Sequence, residues 1–286
     1  MKKSSIKKMG NSPFTMMGPI ELRQPIPSRY IDRVNPFLLL HHYGPYPISK
    51  ESNPFDLGAH PHRGFEPITF LIQGEQKHRD SLGNIQTIKS GGVQWITSGK
   101  GIIHAEGPTP EFIERGGALE GIQLWLNLPR NKKMIEPAYQ QADLDEMESI
   151  VFEGGTLTVV AGVQGGKSGV IKTQTPVNAF WVDLKKGGEL PVEISKNQDA
   201  MVYLITGDVE VNETERLVYG ETVLATFEND GDGFTLKANE VSKLLVLSGA
   251  PIDEPVVMEG PFVMNSRRET MQAFMDYQQG FMGRLE

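Results

Sequence analysis

His60-Pro61-His62-Arg63-Gly64-Phe65-Glu66-Pro67-Ile68-Thr69-Phe70-Leu71-Ile72-Gln73-Gly74 is the stretch on which the fold turns. Residues 68–73 are a short run of β-branched, aromatic and aliphatic side chains that stops at a glycine, the pattern of a strand ending in a turn. Similar runs recur at 85–89, 93–97, 121–127, 156–162, 200–206, 223–227 and 243–248. Thirty-one glycines and nineteen prolines separate them, so the chain reads as many short strands, an all-β barrel or sandwich. Helical spacing is confined to the end, where Met271, Phe274, Met275 and Phe281 predict one amphipathic helix, or two short ones, within 266–282.

The opening stretch has an echo. Phe70-Leu71-Ile72-Gln73-Gly74 matches Tyr203-Leu204-Ile205-Thr206-Gly207 in kind, and Gly92-Val93-Gln94-Trp95-Ile96 parallels Gly220-Glu221-Thr222-Val223-Leu224. At 286 residues the chain is long enough for two domains with sizeable cores. A polar stretch at 137–145 marks the boundary, which predicts a first barrel over 1–138 and a second, with the helical segment, over 139–286. Laid on the second half, the echo places Glu193 and Ser195 under His60 and His62, and Asp232 and Phe234 under His104 and Glu106. With no imidazole there, the second barrel is expected to bind no metal tightly.

Composition removes whole classes of function. The formal net charge is −8 without clustered lysine or arginine, which argues against direct nucleic-acid binding. Having no cysteine, the chain can use neither thiolate chemistry nor cysteine-ligated zinc or iron-sulfur clusters, so metal ligands must be nitrogen and oxygen. No apolar run approaches the roughly 18 residues of a membrane-spanning helix, and the lysine-bearing N-terminus lacks the apolar core of a signal peptide. A cytoplasmic protein, expected to be monomeric, follows.

All six histidines lie between His41 and His104. On an extended strand residues i and i+2 share a face, so His60-Pro61-His62 can aim two imidazoles at one ion. His104-Ala105-Glu106 repeats the device with a carboxylate, and two neighbouring strands could close four ligands on one point. His41 and His42 are adjacent and must face opposite ways, so they are read as packing or hydrogen-bonding residues. His78, among Glu75, Lys77, Arg79 and Asp80, is read as part of a solvated hairpin tip with no role. Three imidazoles and a carboxylate suit one divalent ion such as iron(II), manganese, nickel, copper, cobalt or zinc, and disfavour calcium. An octahedral ion on four protein ligands keeps about two positions for water, dioxygen or a chelating substrate.

These residues resemble the pirin family of bicupins. The resemblance is carried by Asn35-Pro36-Phe37-Leu38-Leu39-Leu40, by His60-Pro61-His62-Arg63-Gly64-Phe65-Glu66, by Gly91-Gly92-Val93-Gln94-Trp95-Ile96-Thr97-Ser98-Gly99-Lys100-Gly101-Ile102-Ile103-His104-Ala105-Glu106, and by Gly260-Pro261-Phe262-Val263-Met264-Asn265. It implies two stacked cupin (jelly-roll) barrels with iron in the first, bound by His60, His62, His104 and Glu106. In many other cupins the carboxylate follows the second histidine by four residues, which here is Glu66; the pirin-like pattern points to Glu106 and leaves Glu66 as a group beside the site. His41-His42-Tyr43 departs from the family, where an acidic residue and a phenylalanine are expected.

Three functions follow from the resemblance and the site. One is a quercetin 2,3-dioxygenase-like enzyme that takes an aromatic, chelating flavonol and dioxygen, with Glu106 as general base. The second is a non-catalytic iron-binding regulator that contacts transcription factors or metabolic enzymes. The third is a purely structural metal. Phe55, Phe65, Phe70, Trp95, Ile103 and Trp125 are the expected pocket lining, and Arg63 and Lys100 are weighed between an anionic substrate and plain surface charge.

Overall fold

Strands take up 55% of the residues and helices 8% in the computed structural model, which describes residues 1–18 and 20–285. The all-β expectation holds, and the internal echo becomes an architectural repeat. One seven-stranded sheet runs in the order Ala138–Ala142, Val93–Thr97, Phe65–Gln73, Gly117–Asn127, Phe37–Ile48, Ile20–Ile26, Phe14–Met17. It is accompanied by a four-stranded sheet in the order Leu57–His62, Ile102–Pro108, Glu75–Asp80, Ile85–Lys89. A second pair of sheets repeats both. Its seven strands are Ile6–Gly10, Leu224–Phe227, Asp199–Thr206, Ser242–Gly249, Val177–Leu184, Gly155–Ala161 and Glu148–Phe152, and its four are Glu189–Glu193, Gly233–Ala238, Asp208–Val211 and Glu215–Val218. Phe65–Gln73 and Asp199–Thr206 hold the same place in their sheets, and the glycines that end them, Gly74 and Gly207, both adopt φ +98°.

The chain does not divide at residue 138 as the sequence predicts. One unit consists of Thr15–Leu22, Leu39–Leu144 and Ile252–Glu286; the other consists of Met1–Phe14, Arg23–Leu38 and Asp145–Pro251. Pairing explains the difference. Ala138–Ala142 is an edge strand on Val93–Thr97, with Gln140 opposite Trp95, and so stays with the first barrel. Ile6–Gly10 pairs with Leu224–Phe227 in the second. The tail returns to the first: Phe262 bridges to Arg63, and the Val263 amide donates to the Arg63 carbonyl at 3.0 Å. The terminal helix therefore belongs with the histidine-bearing unit, not with the second barrel.

That helix, Arg267–Gln278, is capped by Ser266. The Ser266 hydroxyl oxygen accepts from the Glu269 amide (3.4 Å), and the Glu269 carboxylate in return accepts from the Asn265 amide (3.1 Å), a reciprocal cap. Its buried side chains are Thr270 and Ala273, whereas Met271, Phe274 and Met275 are 59%, 38% and 44% exposed. Met271 and Met275 thus mark the outer side of the helix, and Phe274 sets its ring edge-on to the buried Phe262 at 4.8 Å. Small residues face inward because Ala273 packs with Ile103, Phe262 and Met282. Among the described residues no helix is long and apolar enough to cross a membrane.

Candidate metal centre

Register brings the three predicted histidines together. Leu57–His62 and Ile102–Pro108 run antiparallel with His60 directly opposite His104 and His62 opposite Ile102, so all three imidazoles stand on one face. Their ring centroids lie 4.2 Å (His60 to His104), 4.9 Å (His60 to His62) and 4.9 Å (His62 to His104) apart. Each offers one nitrogen to a group whose atoms all lie within 4.8 Å of one another. Beyond His104 the register with Leu57–His62 slips, which sets Glu106 opposite Leu57, while the register with Glu75–Asp80 runs on unbroken and sets Glu106 opposite His78. Its carboxylate falls in a second, adjoining group with His104 and His78 rather than in the three-histidine group.

The protein sets the tautomers. His60 Nδ1 lies 2.8 Å from the Gly58 carbonyl and His62 Nδ1 lies 3.2 Å from the Pro261 carbonyl. Carbonyls only accept, so both Nδ1 atoms carry the proton and both Nε2 atoms keep a lone pair, the arrangement of metal-binding histidines. Burial, with the neighbouring His60 adding to it, lowers the His62 pKa to about 3. Burial beside the other imidazoles also lowers His104 well below the ordinary histidine value. Near neutral pH both are the uncharged, ligand-competent form.

Unmet polar atoms test whether an ion fits. His62 Nε2, both nitrogens of His104 and Glu106 Oε2 are buried without a hydrogen-bond partner, although buried polar atoms are otherwise nearly always paired. A cation at this point would satisfy several of them together. Glu106 Oε1 is accounted for: Gln94 Nε2, from the facing sheet, donates to it and also to Thr69 Oγ at 3.1 Å.

The turn behind His62 is braced by a residue that the sequence did not single out. Gly64 has φ +86°, and a β-carbon there would lie 2.1 Å from the Val263 carbonyl oxygen, so the turn tolerates only glycine. Lys133, 1% exposed, donates from Nζ to the Gly64 carbonyl (2.8 Å), the Val263 carbonyl (3.0 Å) and Asn127 Oδ1 (2.7 Å). Burial lowers its pKa to about 8. Arg63 is likewise structural. Its Nε donates to the Lys100 carbonyl (2.6 Å) and a terminal nitrogen pairs with Asp276 on the terminal helix (2.7 Å). Lys100 reaches Glu136 at the surface.

Several expectations change here. Glu66 is an even number of residues from His62, but the turn at Gly64 breaks the alternation. Thr69 and Gln94, paired in register and hydrogen-bonded, define the face of Phe65–Gln73 that looks toward Glu106. Glu66 is three residues from Thr69, lies on the other face, and accepts from Thr97 at 2.7 Å. Its burial raises the carboxyl pKa to about 7. By the same alternation Phe70 and Trp95 face away from the site, and Ile103 packs under the terminal helix. Phe55 stacks on Tyr43 at 4.3 Å. Of the expected lining, Phe65 and Trp125 remain beside His62, at 5.1 and 5.6 Å between centroids. His42 is buried against Glu120 (2.9 Å).

His78, expected in a solvated hairpin tip, is instead fully buried, because it alternates with Asp80 on Glu75–Asp80 and faces inward opposite Glu106. The signal was present as His78-Arg79-Asp80, the same i, i+2 spacing as the other two pairs.

Comparison with known proteins agrees with this fold. The family model described as Pirin matches residues 20–126, and the one described as Pirin C-terminal cupin domain matches residues 179–283. A crystal structure titled quercetin 2,3-dioxygenase from Acinetobacter baumannii superposes with a TM-score of 0.88 at 37% identity, covering 99% of both chains. A pirin-like protein of Solanum lycopersicum is 34% identical over 263 residues, 92% of this chain and 87% of that one. The pirin of Rattus norvegicus is 32% identical over 268 residues, 92% of this chain and 88% of that one. With two sheets repeated in matching order, three converging imidazoles and relatives of this similarity over most of its length, the chain belongs to the pirin family.

Proposed function

We propose that this chain is a metal-dependent dioxygenase of the quercetin 2,3-dioxygenase type. One divalent ion, iron(II), is held by His60, His62, His104 and Glu106, and Glu106 is also the general base. The observation that carries this is the convergence of buried imidazole nitrogens without partners beside a carboxylate oxygen without one. Such atoms are costly to bury unless a cation meets them. The 37% identity to a quercetin 2,3-dioxygenase over almost the whole chain supports the reaction class. When bound, the ion supplies the Lewis acidity and electron exchange that dioxygen chemistry requires.

The remaining work belongs to the chain's own groups. The Gly58 and Pro261 carbonyls hold the His60 and His62 lone pairs inward. Trp125, backed by the fully buried Phe65 at 4.3 Å, offers an aromatic wall at His62 against which a flat flavonol can lie. Glu106 accepts the flavonol 3-hydroxyl proton at Oε2 while Gln94 steadies Oε1. Dioxygen then adds to the activated ring, which opens as carbon monoxide leaves.

The test is anaerobic flavonol titration of protein loaded separately with iron, manganese, cobalt, nickel, copper or zinc, followed by admission of dioxygen. Oxygen-dependent loss of flavonol absorbance is expected, reduced roughly 10²- to 10⁴-fold in Glu106→Gln. Absence of turnover with every metal would overturn the proposal.

A further inference from the structure

We propose a second donor position beside the three-histidine one, formed by His78, His104 and Glu106, at which a divalent ion of nitrogen-preferring type can bind. The inference rests on the metal reading above and extends it to a residue outside the family-like ligand set. His78 is prepared as a ligand. Its Nε2 lies 2.8 Å from Asp80 Oδ2, and that carboxylate is itself fixed by the Leu82 amide (2.9 Å), the Asn84 amide (3.1 Å) and Asn84 Nδ2 (2.9 Å). A carboxylate accepting at Nε2 places the imidazole proton there and leaves the Nδ1 lone pair, the carboxylate–histidine–metal arrangement.

That Nδ1 is buried and has no partner, and the imidazole is stacked on Tyr139 at 4.4 Å and 22°, so its orientation is held from two sides. Cross-strand register sets His78 opposite Glu106 and Asp80 opposite His104. The ligand atoms of His78, His104 and Glu106 lie within 4.8 Å of one another, and two of the three residues carry further unpartnered atoms, Glu106 Oε2 and the His104 nitrogens. Two imidazoles and a carboxylate form a nitrogen-rich set that suits zinc, cobalt, nickel, copper or iron over calcium.

Both positions need His104, and a neutral imidazole has a single lone pair. They are therefore alternatives for one ion, not two sites filled together. Glu106, directly opposite His78 in an unbroken register, belongs by geometry to the second position, and a rotation of its side chain would bring it to the first.

The test uses full-length protein stripped of metal and titrated anaerobically with cobalt(II), read by its visible absorption and by metal retained after gel filtration. The native sequence should bind one equivalent. His60→Ala/His62→Ala should still bind one, more weakly, and adding His78→Ala or Asp80→Asn should weaken that residual binding a further 10- to 100-fold. If the double variant does not fold, His62→Gln alone takes its place. Residual binding indifferent to His78 and Asp80, no residual binding in a folded variant, or two equivalents on the native sequence would each overturn the proposal. A double variant that binds as tightly as the native sequence, but only with His78 present, would support it and instead sink the three-histidine position.

Discussion

Gln94 and Glu106 meet from opposite sheets: Gln94 stands on Val93–Thr97 and donates across the barrel to the one carboxylate that follows His104 on Ile102–Pro108. Gln94 also takes the Tyr139 hydroxyl on its carbonyl oxygen (3.5 Å) and gives its second bond to Thr69 (3.1 Å). The amide therefore leaves Glu106 one engaged oxygen and one free one. Gln94→Ala should leave the fold and the metal content in place and lower kcat roughly 10- to 100-fold with little change in KM, because it loosens the base and not the binding wall. Steady-state flavonol kinetics on metal-loaded protein, with metal content measured alongside, checks this.

Metal and stability should be linked. At 100 times Kd the ion should raise the unfolding free energy by about 2.7 kcal/mol, since it binds the folded chain alone. Replacing His62 with alanine should abolish most of that gain. Thermal unfolding of chelated and reloaded protein measures it, and an equal metal shift in His62→Ala would contradict the ligand role.

Lys133 should matter to the metal without touching it. Lys133→Met leaves the Gly64 and Val263 carbonyls and Asn127 Oδ1 without their donor in a buried place, which should cost about 2–4 kcal/mol. It should also weaken cobalt affinity, since Gly64 follows His62 by two residues. Urea unfolding and cobalt titration read the two effects. Gly64→Ala should be at least as damaging, by about 2 kcal/mol or more, because the left-handed turn and the Val263 oxygen both refuse a β-carbon.

Glu66 predicts a pH dependence that has nothing to do with catalysis. Its folded pKa is raised by burial to about 7, above the unfolded value, so the folded state holds the proton more tightly. The stabilisation is fully present below about pH 4.5 and is lost as pH rises through about 7, a total on the order of 3 kcal/mol. Glu66→Gln should remove this component and make the chain more stable than the native sequence at pH 8. Urea midpoints at pH 5 and pH 8 on metal-free protein decide it.

Much of this was legible without coordinates. Strand and turn chemistry are local, so the runs of β-branched and aromatic residues ending in Gly74 and Gly207 disclosed the all-β repeat. The i, i+2 alternation is also local, and it disclosed that His60 with His62, and His104 with Glu106, share faces. Within one strand such pairs need no knowledge of partners.

What the sequence determined by itself was the fold class, the repeat, and a set of imidazole and carboxylate side chains confined to the first half. Only the tertiary structure decided that His78 faces inward, that Glu66 is turned away behind Gly64, that Glu106 leans toward His78, and that the terminal helix joins the histidine-bearing unit. The physical reason is that these depend on cross-strand register and on chain segments returning from far along the sequence, whose pairing free energy is set by all the strands together and is written in no single stretch.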